Sequence, residues 1–210
     1  MADVISGNRV VGSDVVRWLA FSLVCAGGSW GLSWLGPVVP LPSGVRAVAG
    51  LSAIVVLPLA SVLVPVLLLR RVPRKKRKVA WQLIVPLMAG VALGIFGTAA
   101  GGSAALADRG VSADAVVVSA DYSSTNHCEL RTVDGRDISP SLSESDGCRD
   151  SVSKGDEVRV RYDPEGVARP DNGHTGSDTA FLATLFGMAV VMGTWGGVRQ
   201  SRWDRAYDGA

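Results

Sequence analysis

Long parts of this chain carry no formal charge. Four windows contain no Asp, Glu, Lys or Arg at all: Trp18–Val45, Ala47–Leu69, Val79–Ala107 and Thr179–Val198, of 28, 23, 29 and 20 residues. A helix needs about 20 apolar residues to cross the hydrocarbon layer of a bilayer, so each window is long enough to span. Charged residues make up only 19% of the 210-residue chain, the hydrophobic types make up 48%, and 25 glycines add to the apolar share. That balance argues against a soluble monomer, a disordered chain and a nucleic-acid-binding module. The partner it implies is membrane lipid, and no nucleic acid.

Other scarcities narrow the chemistry. The thiol of Cys25 is the single ionisable group inside the four windows. Ion and proton pathways rely on intramembrane acids and bases, so a pump or an ion-coupled transporter is not expected. The two histidines, His127 and His174, stand outside any H-x-x-x-H or C-x-x-C pattern. Adjacent His127 and Cys128 would point to opposite faces of a strand, and ligands that diverge do not assemble a zinc site. No G-x-S-x-G elbow and no phosphate-binding glycine loop after a strand occurs. Asp134, Asp156 and Asp163 have an ordinary explanation in turns. The sequence therefore nominates no catalytic residue, no cofactor and no metal, and an enzyme is not expected.

The charge that is present is polarised. Arg70, Arg71, Arg74, Lys75, Lys76, Arg77 and Lys78 form a run without an acid between two apolar windows. Short cation-rich loops stay on the cytoplasmic side. With that loop inside, residues 1–17 and the tail 199–210 are also expected in the cytoplasm, each carrying arginines. Residues 18–107 then hold three spans (about 18–37, 48–69 and 80–106) around the loop 70–78. Residues 108–178 fall outside, and 179–198 return as the fourth span. The polar leader is long and the first apolar window exceeds the 7–15 residues of a signal-peptide core, so it is expected to remain as a helix. Pro58, Pro65 and Pro86 should bend their helices. Gly27/Gly31, Gly90/Gly94, Gly97/Gly101 and Gly193/Gly197 have the spacing of close helix contacts.

The segment 108–178 changes character. From Asp108 to Asp171 it holds 14 acidic and 8 basic residues, a net of −6. Ala113–Ser119 is β-branched and strand-like. Cys128–Val133, Asp134-Gly135 and Arg136–Ser139 read as a hairpin with a type I′ turn. Glu157–Tyr162 alternates, which puts Val158, Val160 and Tyr162 on one face and Arg159 and Arg161 on the other. Gly155-Asp156 and Asp163-Pro164 bracket that strand. Ser139–Ser153 reads as a long polar loop. Four or five strands in so short a segment suggest a small all-β module, an OB-like barrel or sandwich. So small a core gains from a staple, and Cys128 and Cys148, on the oxidising side, are expected to supply it as a disulfide.

The run Gly155-Asp156-Glu157-Val158-Arg159-Val160-Arg161-Tyr162-Asp163-Pro164, with Gly135 in the preceding hairpin, resembles the bacterial family called domain of unknown function 3592. The resemblance covers about 60 residues, Ser112–Asp171. It implies a membrane protein carrying a small extended β module, and implies no chemistry. The cysteine pair and the serine-rich insert depart from the family pattern. Arginine outnumbers lysine 17 to 4, which fits a bacterial source. Together these readings favour a non-enzymatic, multi-pass cell-membrane protein that presents the module to an envelope partner. The alternative is an accessory subunit of a membrane protease or transporter that acts through its glycine-rich helices.

Overall fold

The computed structural model describes residues 2–68, 72, 80–122, 125–173 and 179–207. The chain divides into two compact units, one made of Met1–Ser33, Ser43–Gly97 and Asp178–Ala210, the other of Trp34–Pro42 and Thr98–Ser177. Among the described residues, five α-helices and four strands follow in order: α1 (Ala2–Val38), α2 (Ser43–Leu51), α3 (Leu57–Leu67), α4 (Ile84–Arg109), β1 (Val111–Asp121), β2 (His127–Thr132), β3 (Asp137–Ser143), β4 (Glu157–Tyr162) and α5 (Thr179–Ala206). Four helical stretches are long and apolar enough to cross a membrane: Gly12–Val38, Ser43–Leu67, Trp81–Arg109 and Thr179–Ala206. The four charge-free windows are thus four helices. Their ends reach further than expected, because α1 starts well before Trp18 and α5 continues past Val198. Once a helix is nucleated in an apolar window, it propagates cheaply into flanking arginines and glutamines.

Within the first unit, the prolines act differently from one another. Ser52–Val56 forms a π-helical turn directly before α3, in which the Leu57 N–H donates to Ser52 O, and Pro58 sits in the first turn of α3. The wider turn accommodates a residue with no N–H to give. Pro65 lies inside α3. Pro86 does not interrupt its helix: a 3₁₀ turn at Trp81–Leu83 leads into α4, and Pro86 falls in the first helical turn, where a missing donor costs little.

Three of the four glycine pairs mark close approaches. A Cβ on Gly90 would come within 3.1 Å of Pro58 Cγ, one on Gly94 within 2.8 Å of Ile54 Cγ1, and one on Gly193 within 2.7 Å of Ser22 Oγ. Gly97 faces Ser33 and Trp30, and Gly197 lies against the ring of Trp18. Trp18 is buried, and its Nε1–H donates to Ser201 Oγ at 2.8 Å. In the remaining pair, Gly31 meets open space.

The second unit contains one four-stranded antiparallel sheet in the order β3-β2-β1-β4. Its core gathers Ala115, Val117, Cys128, Leu130, Ile138, Leu142, Cys148 and Val160. The expected all-β module is present as this sheet. Strand pairing leaves β3 and β4 at opposite edges of the sheet. On β4, Val160 is buried and Val158 and Tyr162 half-buried, whereas Arg159 and Arg161 are exposed, as the alternation predicts.

Two local expectations are corrected. The β2–β3 connection is not a type I′ turn, because among the described residues no side-chain-bearing residue has positive φ, and Gly135 alone in the turn reaches +84°. Gly135 N–H donates to Thr132 O and Thr132 N–H to Arg136 O, both at 2.8 Å, the pattern of a three-residue loop with a glycine bulge. The serine-rich segment is also not all loop. Residues through Ser143 belong to β3, with Ile138 and Leu142 turned into the core. Serines between them hide the period of two.

Candidate functional site

The β module is built around its staple. Cys128 on β2 and Cys148 in the β3–β4 loop form a disulfide with Cα atoms 5.7 Å apart, and both are fully buried. The loop it pins is ordered by its own polar groups. Cys148 N–H donates to Ser143 O at 2.9 Å, and Asn126 Nδ2 donates to Asp150 Oδ1 at 2.6 Å. Asp156 accepts from Ser153 N–H at 2.7 Å, and Gly155, with φ of +96°, donates to Val117 O at 2.9 Å. Gly155-Asp156 therefore ties the loop back to β1. Glu144, Asp150 and Asp156 remain exposed along this stapled loop.

The solvent face of the sheet is mixed in charge. Asp114 pairs across from Arg159, Val116 lies between Arg131 and Glu157, and Arg131 Nε meets Asp137 Oδ1 at 2.6 Å. The two edges are poor templates for strand addition. Pro140 lies in β3 and Arg161 of β4 exchanges both backbone hydrogen bonds with Asp171. A proline and a pre-paired edge both discourage a further strand. The stapled loop, unlike the edges, is charged surface outside the strands: Glu144, Asp150 and Asp156 are exposed on it beside Arg149 and Lys154.

A second centre was not foreseen from the sequence. Asp163, expected to serve only a turn, is buried and accepts five hydrogen bonds. Arg109 supplies two (Nε at 3.1 Å, Nη2 at 2.9 Å), and the N–H groups of Glu165, Val167 and Ala168 supply the others at 3.0, 3.2 and 2.9 Å. Burial by itself would push this carboxyl up. The Arg109 hydrogen bonds, the donors at Ala168 and Glu165 and the guanidinium charge outweigh it and bring the pKa down to about 2. Arg109 also donates to Val38 O at 2.8 Å and Pro37 O at 2.7 Å, the last carbonyls of α1. Arg161 does the same for α4, donating to Ala107 O in its last turn at 3.2 Å and to Gly110 O just beyond it at 3.3 Å. Two arginines therefore satisfy carbonyls that every helix leaves unpaired at its C-terminus. The signal in the sequence was slight: Arg109 is the first cation after a charge-free window, and nothing local says that its partner lies 54 residues on.

The remaining expected residues fall as follows. Val158, Val160 and Tyr162 line the core side, Pro164 follows the buried Asp163, and Cys25 is a free, buried thiol. His127 is exposed on β2 beside buried Cys128, on opposite faces as the pleat requires. His174 lies outside the described residues, as do Arg70, Arg71, Arg74, Lys75, Lys76, Arg77 and Lys78. Among the described residues no three His, Cys, Asp or Glu side chains gather as for a metal. Within the helical unit, Ser22, Cys25, Ser29 and Ser61 border a cavity of about 10 Å³, which leaves no room for a substrate. Set against protein-family models, curated proteins and solved structures, the chain matches none.

Proposed function

We propose that this is a four-span cell-membrane protein that holds its β module on the extracytoplasmic side and uses it, without catalysis, to bind or scaffold an envelope partner. The observation that carries this reading is the Cys128–Cys148 disulfide in the core of the module, since a structural disulfide persists on the oxidising side of the membrane. The acid-free run Arg70–Lys78 points the same way by the positive-inside rule, placing both termini in the cytoplasm. The contact surface is the stapled loop, where exposed Glu144, Asp150 and Asp156 outnumber exposed Arg149 and Lys154, facing a partner that offers more cations than anions. The reading as an accessory subunit draws less support, because most of the paired glycines it would use already meet Trp18, Ser22, Ile54 and Pro58 of the same chain.

The test is site-specific photo-crosslinking of the full-length protein in growing cells, with the crosslinking residue at position 144 or 150 and, as a comparison, at Met188 on α5. A discrete protein adduct from the loop positions is expected. Adducts from position 188 alone would transfer the role to the helices and overturn the module's part in it.

A further inference from the structure

We propose that the groove between α1 and α5 is a binding site for one anionic phospholipid, whose acyl chains lie on the apolar wall while Arg199 and Arg202 hold its phosphate. The groove measures about 720 Å³ and lies within the helical unit. Its wall is set by helical spacing: Val15 and Leu19 on α1 stand one turn apart, and Val191, Trp195, Arg199 and Arg202 follow one face of α5 at steps of four, four and three. Val191 and Trp195 are 64% and 53% exposed, so the wall is open along its length and meets lipid in a bilayer.

The charge at one end makes this more than an ordinary lipid-facing surface. Both arginines are exposed, no carboxylate lines the groove, and among the described residues neither is in an ion pair. Among the described residues, two acids near that end are engaged elsewhere. Asp14 pairs with Arg205 at 2.5 Å, and Asp204 accepts from Val72 N–H at 3.3 Å. Arg199 is also held in place. The buried Gln82, with its amide oxygen turned to the donors, accepts from Arg199 Nη1 at 2.5 Å and Trp81 Nε1 at 3.1 Å. A guanidinium has five N–H donors, so one bond to Gln82 leaves the rest for a phosphate, which arginine grips with two parallel bonds. Trp195, one turn before Arg199, supplies the amphipathic ring that favours the headgroup level. A basic pocket between membrane helices selects anionic headgroups, and the apolar wall favours a lipid over free phosphate.

This inference does not depend on which side of the membrane the β module occupies. Full-length protein in a mild neutral detergent is titrated with phosphatidylglycerol or phosphatidylcholine of the same chain length, and bound lipid is counted by native mass spectrometry. One tightly held phosphatidylglycerol is expected, with phosphatidylcholine at least about ten-fold weaker. The double variant Arg199→Ala/Arg202→Ala should lose that preference. Val191→Trp, which fills the wall and leaves both arginines, should also lose the lipid. Equal retention of the two lipids by the wild type, or a preference that survives in the double variant, overturns the site. Retention by Val191→Trp reduces it to a phosphate contact without a seat for the chains, and overturns it as well.

Discussion

Asp163 ties distant parts of the second unit together through one side chain. Its side chain is wholly buried, yet it stays ionised because Arg109 and three backbone donors face it. Its folded pKa, about 2, lies below the unfolded value of 3.8. A depressed carboxyl stabilises the fold above its unfolded pKa and loses that contribution as pH falls through the folded one. The contribution, about 2 kcal/mol, is therefore complete above roughly pH 5 and gone near pH 2. Thermal melts of the detergent-solubilised protein should be flat from pH 7 to 5 and fall between 4 and 2. Asp163→Asn keeps the shape and removes the charge, leaving Arg109 only the longer contact to exposed Glu165 at 3.6 Å, and should cost about 3 kcal/mol at pH 7 while shallowing the acid limb. A variant that melts with the wild type at both pH values would reduce the clasp to a surface contact. In the sequence Asp163 is legible as a turn residue but not as a buried one, because burial depends on what the turn folds against. Arg109 stands 54 positions away, and no local pattern couples two such residues.

At the scale of elements, the absence of charge made the four helices legible, since a bilayer imposes one length and one composition on whatever crosses it. Glycine spacing made three of the helix contacts legible but not their partners, which depend on how the helices cross. Turns and strand ends were harder. Asp134-Gly135 suits two hairpin geometries, and β3 was cut short because serines sit between Ile138 and Leu142. The glycines now separate into two groups with opposite expected outcomes. Gly197 lies on the Trp18 ring and Gly94 against Ile54, whereas Gly31 meets nothing within 4 Å. Gly197→Val or Gly94→Val must push helices apart and should destabilise the bundle by about 1–3 kcal/mol. Gly31→Ala adds no clash and should be neutral or stabilising by up to about 1 kcal/mol. Unfolding in mixed micelles of rising denaturing-detergent fraction reads both. Equal behaviour of the two groups would mean that the close approaches do not hold the helices.

For the molecule as a whole, the disulfide joins stability to location. Cys128 and Cys148 close a loop across 20 positions in the middle of the β core, and constraining such a loop is worth about 3 kcal/mol on the chain-entropy account. The double variant Cys128→Ser/Cys148→Ser should therefore weaken the sheet and leave the helices intact. Protease cuts in the segment 144–156 should appear in the variant before any loss of helical signal. The proposed location is tested through the same two sulfurs. With the module outside and the basic run inside, a membrane-impermeant maleimide should not label Cys128 or Cys148 in intact cells until a reductant is added, and should then label both. Cys25, buried in a span, should stay unlabelled in each condition. A cysteine placed in the basic run, Lys76→Cys, should react only after the cells are opened. Labelling of that position in intact cells would reverse the orientation and put the disulfide in a reducing compartment, where the sheet would have to stand on its small apolar core alone.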